Sequence, residues 1–368
     1  MAVPLLVVGG FLGAGKTTLV ERAARLLSAE GRRVGIVTND QAADLVDTGL
    51  LASRGFAVGE VSGSCFCCDF PALLAQAETL ATSFGADILL AEPVGSCTDL
   101  SATIFQPLKD RHASAFRLGR LSVLVDPQRL AALESRRPAE RLHPSAAYIL
   151  RKQLEEADLI VVTKTDTLAT AEQNALRASL EAEFPEQEIR FLSALDGTSV
   201  AEWLHAALGE GTIGSRILDV DYDTYAEGEA VLGWLNARID LASPAEPADW
   251  RAFGASLMRD LQEAFTARGL PVGHVKLLLS TRDGQLFASL TLTAGRIAYQ
   301  GEVGRSTEAA LVLNARIETS PESLEAIVRT SLEAAAGGTI GVTIRTLRSL
   351  RPGRPVPTFR YSEAIGSS

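Results

Sequence analysis

The segment at residues 9–18, GGFLGAGKTT, has the residue types and the spacing of a phosphate-binding loop. It follows the pattern GxxxxGK[ST] between a short apolar run at residues 3–8 and a stretch of helical periodicity at residues 19–27. Backbone N–H groups surround a phosphate only where side chains do not obstruct them, which explains the repeated glycines. The predicted nucleotide contacts of this loop are Gly10, Gly13, Ala14, Gly15, Lys16, Thr17 and Thr18.

Two acidic residues follow apolar strands that should end at the same sheet edge as this loop. Asp40 follows the run at residues 33–38, and Glu92 follows the run at residues 86–91. In α/β sheets, ligands gather beyond the carboxyl ends of the strands. We therefore predict that Thr17, Asp40 and Glu92 bind Mg²⁺, and that Lys16 neutralises phosphate charge while Glu92 or Asp40 orients metal or water. A cap or turn role for Asp40 and a surface position for Glu92 are the alternatives.

Further features around these acids predict a nucleotide-sensitive region. Gly95 lies three residues after Glu92, where its backbone N–H is expected to sense the γ-phosphate. The segment from Asp40 to about residue 48 is predicted to be a mobile switch.

The cysteines of this chain are concentrated in two short segments. Cys65, Cys67 and Cys68 lie together, just before a predicted helix, and Cys97 follows Gly95 by two residues. A helix N-terminus favours thiolate over thiol, and clustered thiolates suit Zn²⁺, Cu⁺ or Co²⁺ rather than Mg²⁺. The three thiols converge only if the chain turns at Cys67 or Cys68. Small buried thiols that only fill a loop are the alternative.

A second nucleotide motif occurs at residues 163–166, Thr-Lys-Thr-Asp, after an apolar strand. The pattern [NT]KxD is specific for guanine because the Asp166 carboxylate accepts hydrogen bonds from two donors that adenine lacks on that edge. The Lys164 stem covers the ring, and Thr163 replaces the more common asparagine. Ser193 and Ala194, at the end of a later predicted strand, are expected to form the last guanine-contacting loop.

Strands and helices alternate over the first part of the chain, which predicts an α/β P-loop fold with a mostly parallel sheet. Residues 1–210 are predicted to form this GTPase domain and residues 211–224 a linker with an acidic strand edge at 219–223. Residues 225–350 have the order β-α-β-β-β-α-β, which favours a smaller α+β domain of ferredoxin-like type. The tail at residues 351–368 is rich in proline and arginine and is expected to be extended.

Composition limits the partners of the protein. The formal charge of −10 argues against general nucleic-acid binding, and no apolar stretch is long enough to span a bilayer. The N-terminal apolar run reaches glycine too early for a signal peptide, so a cytosolic location is expected.

Taken together, the loop at 9–18, the Cys-x-Cys-Cys cluster, Glu92-x-x-Gly95 and Thr163-Lys164-x-Asp166 resemble the CobW-type GTP-dependent metallochaperones. These are relatives of the urease and hydrogenase nickel-insertion GTPases. The resemblance implies GTP/GDP and Mg²⁺ binding, slow GTP hydrolysis, and zinc or cobalt binding by the clustered cysteines. It also implies delivery of the metal to a client protein and pairing of two copies across the nucleotide face.

This chain departs from the family pattern at two positions. Ser64 replaces the glycine that usually precedes the first cysteine, and Cys97 is an addition. We hypothesise that Cys97 supplies a fourth thiolate when the loop from Glu92 to Gly95 moves with the γ-phosphate.

Two other functions are alternatives to a metallochaperone. The first is a GTPase that guards loading of a corrinoid or similar cofactor-dependent enzyme, with structural cysteines. The second, an ATP-dependent kinase or partitioning protein, is disfavoured by the guanine motif, and also by Phe11, which replaces the signature lysine of related partitioning ATPases.

Overall fold

The computed structural model describes residues 2–40, 45–135 and 141–366. By contacts the chain forms two compact units. The first contains residues 1–41, 54–228 and 354–368, and the second contains residues 42–53 and 229–353. The sequence analysis assigns one continuous segment to each of the GTPase domain, the linker and the C-terminal domain, whereas each unit found by contacts combines separate segments. The predicted limits remain a prediction.

The described residues contain the following regular elements. The strands are β1 (Val3–Gly10), β2 (Val34–Asp40), β3 (Ala57–Ser62), β4 (Ile88–Glu92), β5 (Phe116–Leu118), β6 (Ser122–Val125), β7 (Leu159–Val162), β8 (Glu188–Phe191), β9 (Gly233–Ala242), β10 (Ala248–Asp249), β11 (Val272–Ser280), β12 (Gln285–Leu290), β13 (Ala298–Glu302), β14 (Arg305–Ser306), β15 (Glu308–Ile317) and β16 (Gly341–Leu350). The helices are α1 (Lys16–Ala29), α2 (Val46–Ser53), α3 (Phe70–Thr79), α4 (Gln106–Arg111), α5 (Pro127–Glu134), α6 (Pro144–Glu156), α7 (Thr170–Glu183), α8 (Val200–Leu208), α9 (Tyr222–Ala230), α10 (Trp250–Ala267) and α11 (Pro321–Ala336).

The first unit is built on a parallel sheet of order β3-β2-β4-β1-β6-β7-β8, with β5 also paired to β1. The central strands are buried along almost their whole length, as expected when helices cover both faces of a parallel sheet. Their apolar sequences reflect this double burial. The carboxyl ends of these parallel strands therefore lie along one edge of the sheet, and the predicted site segments follow β1, β2, β3, β4, β7 and β8 at that edge.

The second unit is an antiparallel sheet of order β13-β12-β11-β15-β9-β16. One face packs against α10, whose predicted apolar stripe is buried, and against α11. The opposite face carries Leu278 and Phe287, which pack against Val46 and Leu50 of α2. Alternation along β11 places Leu277 and Leu279 on one face and Leu278 on the other, so both faces need apolar cover.

Polar contacts fix α2 against this second sheet. The Lys276 ammonium lies 2.8 and 2.6 Å from the two carboxylate oxygens of Asp47, and the Asn314 side-chain oxygen accepts a hydrogen bond from the Val46 N–H at 2.8 Å. The latter part of the predicted switch segment is thus helical. Residues 41–44 of that segment lie outside the described residues.

The α/β class and the smaller α+β unit are confirmed by this topology. The predicted acidic strand edge at 219–223 is wrong, because α9 begins at Tyr222. Asp221 caps that helix: one of its carboxylate oxygens accepts from the Asp223 N–H at 3.0 Å and the other from the Thr224 hydroxyl at 2.5 Å. The alternation of acidic residues at 219, 221 and 223 resembles a strand edge. However, aspartate side chains also accept hydrogen bonds from the first donors of a helix, and Asp221 does so here.

Two negative findings apply to the described residues only. Residues 351–366 contain neither helix nor strand. None of the helices in residues 2–40, 45–135 and 141–366 is both long and apolar enough to cross a membrane.

Candidate functional site

The loop between β1 and α1 has backbone conformations that require glycine. Gly10 has φ 129°, and a Cβ there would lie 2.2 Å from the Leu124 carbonyl oxygen of neighbouring β6. Gly13 and Gly15 have φ of 80° and 89°, and Gly15 precedes the first residue of α1. Backbone amides at the start of this helix are therefore available to bind an anion.

Lys16 and Thr17 begin α1 and are both buried. The Lys16 ammonium donates to the Gly10 carbonyl at 2.9 Å. The Thr17 hydroxyl donates to a Glu92 carboxylate oxygen at 3.0 Å, which joins the start of α1 to the end of β4. Two of the predicted Mg²⁺ ligands are thus in direct contact.

Gly95 lies directly beside the phosphate-binding loop. A Cβ at Gly95 would lie 2.6 Å from the terminal Cδ2 of Leu12 and 3.0 Å from the Lys16 ammonium. The backbone at Gly95 thus lies next to the Lys16 ammonium.

Asp40, the third predicted Mg²⁺ ligand, is the buried last residue of β2. Its carbonyl accepts a hydrogen bond from the Gly63 N–H at 3.1 Å, at the start of the cysteine loop. Asp40 therefore lies at the predicted edge, between the nucleotide loop and the cysteine loop in the order of strands.

The guanine motif is joined to the phosphate loop through Thr163. Its hydroxyl donates to the Ala14 carbonyl at 2.7 Å, which gives the threonine a definite role in place of asparagine. Lys164 has φ 55°, and its ammonium lies 3.1 Å from Asp126. Asp166 is exposed in a single 3₁₀ turn, with its carboxylate accessible for a base.

The second predicted guanine loop lies next to the first. The Thr165 N–H donates to the Leu192 carbonyl at 3.4 Å. Ser193 and Ala194 are buried, and the Ser193 carbonyl accepts from the Gly197 N–H at 2.9 Å.

Asp126 was missed by sequence reasoning. It caps α5, where one carboxylate oxygen accepts from the Arg129 N–H at 2.9 Å while the other pairs with Lys164. The signal was available, since an acid that follows a strand and precedes proline is typical of a helix cap.

Cys65, Cys67 and Cys68 converge at a tight turn. The Cys65 carbonyl accepts hydrogen bonds from the N–H groups of Cys68 at 3.0 Å and Asp69 at 2.9 Å. The Sγ atoms of Cys65 and Cys67 are 3.1 Å apart, and those of Cys67 and Cys68 are 3.8 Å apart. Within residues 2–40, 45–135 and 141–366, these three form the only cluster of His, Cys, Asp or Glu able to hold a metal ion.

The donor set fits a thiophilic cation. Four sulfurs at about 2.3 Å from a tetrahedral zinc ion lie about 3.8 Å apart, which equals the separation of Cys67 and Cys68, whereas Cys65 and Cys67 are closer together at 3.1 Å. Asp69 caps α3 by accepting from the Ala72 N–H at 3.1 Å, so the cluster immediately precedes a helix N-terminus, as predicted.

The thiols share their protons unequally. Hydrogen bonds from Cys67, Cys68 and Cys97 hold the pKa of Cys65 far below its ordinary value. The same bonds and burial raise the pKa of Cys67, and the bond to Cys65 raises the pKa of Cys68 to about 11. This arrangement favours the thiolate at Cys65 and the protonated thiol at Cys67 and Cys68, so a metal that binds all three sulfurs must displace protons.

Asn39 holds the cysteine loop in place, and sequence reasoning missed it. Its side-chain amide donates to the carbonyls of Ser64 at 2.7 Å and Val61 at 3.0 Å, while its oxygen accepts from the Phe66 N–H at 2.9 Å. The loop that contains Ser64 is thus anchored to β2. The position of Asn39 beside Asp40, at the end of a predicted strand, could have indicated a role at this edge of the sheet.

Cys97 is buried and lies close enough to contribute to the pKa shifts of Cys65 and Cys67, but its Sγ is not within 4.8 Å of all three clustered thiols. The side-chain amide of Gln153 in α6 donates to the Cys97 carbonyl at 2.8 Å and to the Gly95 carbonyl at 3.1 Å. One buried side chain therefore connects the residue beside Lys16 with the residue beside the thiols.

Residues 4–190 match the family model described as CobW/HypB/UreG, nucleotide-binding domain. A protein named zinc chaperone CobW from Pseudomonas aeruginosa is 28% identical over 209 residues, which are 50% of this chain and 54% of the relative. The chain thus matches about half the length of that relative.

The solved structures to which this chain is similar include the Zn(II)-bound YjiA GTPase from Escherichia coli and HypB from Helicobacter pylori in complex with nickel. The first is 16% identical, with a TM-score of 0.38, and the alignment covers 90% of this chain and 99% of YjiA. The second is 15% identical, with a TM-score of 0.39 and coverage of 58% and 92%. The family match spans about half of the chain, and the chain therefore belongs to the CobW/HypB/UreG family of P-loop GTPases.

Proposed function

We propose that this protein binds and slowly hydrolyses GTP, and that it uses the nucleotide state to control a thiolate-bound zinc or cobalt ion destined for a client protein. The observation that carries the proposal is the connection made by Gln153, which holds both the Gly95 and the Cys97 carbonyls. A phosphate site and a sulfur site are thereby joined through one short loop.

The nucleotide is assigned to the carboxyl edge of the parallel sheet. Backbone amides of the glycine loop and the Lys16 ammonium neutralise phosphate charge, and Mg²⁺ bound by Thr17, with Glu92 and Asp40, would add a Lewis acid there. Asp166 and Lys164 select guanine. The full set proposed to contact nucleotide is Gly10, Gly13, Ala14, Gly15, Lys16, Thr17, Thr18, Gly95, Thr163, Lys164, Asp166, Ser193 and Ala194.

The metal is the cargo of the protein in this proposal. Cys65, Cys67 and Cys68 supply three sulfur donors within 4.8 Å of one another. Cys97 lies outside this group and would supply a fourth donor when the loop from Glu92 to Gly95 moves. Thiolate ligands exclude Mg²⁺ and Ca²⁺ by their softness and favour zinc or cobalt.

Control of the cargo follows from the position of Gly95. Gly95 lies next to the Lys16 ammonium, since a Cβ built on Gly95 would be 3.0 Å from it. A γ-phosphate bound by Lys16 would therefore press on Gly95. Displacement of Gly95 moves Cys97 through Gln153, which changes the sulfur geometry. Pairing of two copies across the nucleotide face would complete the GTP-bound state.

The test compares the wild-type protein with the variant Cys65→Ser/Cys67→Ser/Cys68→Ser. Wild-type protein should retain about one Zn²⁺ or Co²⁺ per chain after dialysis, and the variant should retain none while binding GTP normally. GTP should displace a fluorescent GDP analogue, whereas ATP should not.

Either of two results contradicts the proposal. The first is equal metal retention by the wild type and the triple variant, which would place the metal elsewhere. The second is displacement of the fluorescent nucleotide by ATP as effectively as by GTP.

A further inference from the structure

The C-terminal segment Arg354–Ile365, called the strap below, packs against the first unit through defined polar contacts. It contains neither helix nor strand, so its own backbone does not fix its course. Its position is determined instead by the loops on which it lies. Those loops are the two that contain the cysteines.

The strap binds the backbone of the cysteine turn. The Thr358 N–H donates to the Cys67 carbonyl at 2.8 Å, and the Thr358 hydroxyl donates to the Cys68 carbonyl at 3.0 Å. The backbone of Val356 also hydrogen-bonds to the Cys68 thiol. Two carbonyls and one sulfur of the motif are therefore held by residues far away in sequence.

Two residues further on, the strap binds the loop that contains Cys97. The Arg360 guanidinium donates to an Asp99 carboxylate oxygen at 2.7 Å, and the same oxygen accepts from the Tyr222 hydroxyl at 2.7 Å. Asp99 is buried and has φ 63°, a conformation that needs such support in a residue other than glycine. The Tyr361 N–H continues the contact by donating to the Ala102 carbonyl at 3.1 Å.

Aromatic and ionic contacts anchor the strap between these two points. The Phe359 ring packs edge-on against Phe70 at the start of α3, with centroids 5.5 Å apart, and the Arg111 guanidinium lies 4.5 Å from the centroid of the Phe359 ring. The Tyr361 hydroxyl donates to Asp110 at 2.6 Å. These contacts favour one register of the strap.

We propose that the strap is part of the metal site, and that Thr358 and Arg360 are positioning residues that hold the cysteine turn in register with the Cys97 loop. The inference rests on the proposed function, since it assumes that the clustered thiols bind metal. Groups that orient metal ligands contribute to affinity without touching the ion. The strap does this by binding the backbone carbonyls of Cys67 and Cys68 in the cysteine turn and the carboxylate of Asp99, two residues after Cys97.

The test uses full-length variants at Thr358. Thr358→Pro removes both the N–H and the hydroxyl donor, whereas Thr358→Ser keeps both and is the matched control. Glu363→Ala is a second control, because it changes an exposed side chain of the strap that makes no contact used in this argument. Zn²⁺ affinity is measured by competition with a chromophoric chelator, and the Co²⁺ complex is followed by its thiolate charge-transfer absorption.

Thr358→Pro should weaken Zn²⁺ binding about 10- to 100-fold and alter the Co²⁺ spectrum, as loss of ligand-orienting contacts does elsewhere. Thr358→Ser and Glu363→Ala should match the wild type. Unchanged affinity and spectrum in Thr358→Pro would overturn the inference. If that variant loses GDP binding and is therefore misfolded, Arg360→Gln, compared with Arg360→Lys, decides by the same two readouts.

A separate readout distinguishes failure of this inference from failure of the proposed function. Iodoacetamide labelling of Cys67 and Cys68 in metal-free protein should be faster in Thr358→Pro than in Thr358→Ser. Faster labelling in a protein that binds no metal would refute the metallochaperone proposal and the metal role of the strap, but would keep the strap as a clamp on the turn. Equal labelling rates would overturn the clamp itself.

Discussion

The stability of the protein should depend on pH through Glu156. The carboxyl group of this residue is buried at the end of α6, against the loop that contains Cys97. One of its oxygens accepts from the Thr98 hydroxyl at 3.1 Å, and the other accepts from the Ser101 N–H at 3.0 Å. Burial outweighs these bonds, and the neighbouring Asp99 adds repulsion, so the pKa of Glu156 rises from 4.5 to about 8.

The sign of the pH dependence follows from proton linkage. Below pH 4.5 the carboxyl group is protonated in both the folded and the unfolded chain, so its ionisation does not lower the free energy of unfolding. Between pH 4.5 and about 8 only the unfolded chain releases the proton, so unfolding becomes more favourable as pH rises. Each pKa unit is worth about 1.4 kcal/mol, so the full penalty above pH 8 is about 5 kcal/mol.

Glu156→Gln removes the ionisation and should remove this pH dependence. The variant loses one acceptor for the Thr98 or Ser101 donor, a cost that does not vary with pH. The free energy of unfolding of the variant minus that of the wild type should therefore rise by about 4 kcal/mol between pH 5 and pH 9, because part of the penalty is already present at pH 5.

The measurement is denaturant unfolding of the first unit, followed by the fluorescence of buried Trp203. Replacing the other two tryptophans, Trp234 and Trp250, by phenylalanine in both proteins isolates this signal. Parallel pH profiles for the Glu156→Gln variant and its parent protein would refute the reasoning, because they would mean that burial does not perturb this carboxyl group.

Three further predictions concern nucleotide and metal. Gly95→Ala should weaken binding of a GTP analogue more than binding of GDP in fluorescence titrations, because the added methyl group meets Leu12 and Lys16, and such overpacking costs about 1–3 kcal/mol; equal weakening would argue against a γ-phosphate role. Asp166→Asn should lower GTP affinity about 10- to 100-fold, the worth of hydrogen bonds to a charged group, and should favour xanthosine nucleotides, whose ring presents an acceptor where guanine presents a donor; unchanged preference would remove Asp166 from the base site. Zn²⁺ affinity should rise by about tenfold per pH unit for each proton displaced between pH 6 and pH 9. The reason is that burial and hydrogen bonding raise the pKa of Cys67 and hold the pKa of Cys68 near 11. A Zn²⁺ affinity that does not change with pH in chelator competition would contradict the description of shared protons.

Sequence patterns predicted the features whose causes are local. The glycines at 10, 13 and 15 need particular backbone conformations, and the structure gives each of them a positive φ. The strands of the parallel sheet are continuous apolar runs because both faces are buried. The turn at Cys67 and Cys68 followed from the requirement that three thiols converge.

Features that depend on distant parts of the chain were not predicted. The strap is a proline- and arginine-rich tail with no periodicity, and its contacts reach Cys67 from Thr358. The packing of α2 on the second sheet depends on Asp47 meeting Lys276, a pairing that no local pattern encodes. Asn39 and Asp126 are polar residues at strand ends whose partners become apparent only when neighbouring strands are assembled.

The central claim is that the nucleotide site and the thiol site are coupled through the loop from Gly95 to Cys97. It is tested most directly by measuring the Zn²⁺ dissociation constant of the full chain in the GDP state and in the state bound to a non-hydrolysable GTP analogue. The account predicts dissociation constants that differ by about 5- to 150-fold, the usual range of coupling between sites, and a reciprocal effect of Zn²⁺ on the affinity for the analogue. Equal Zn²⁺ dissociation constants in the two nucleotide states would contradict it.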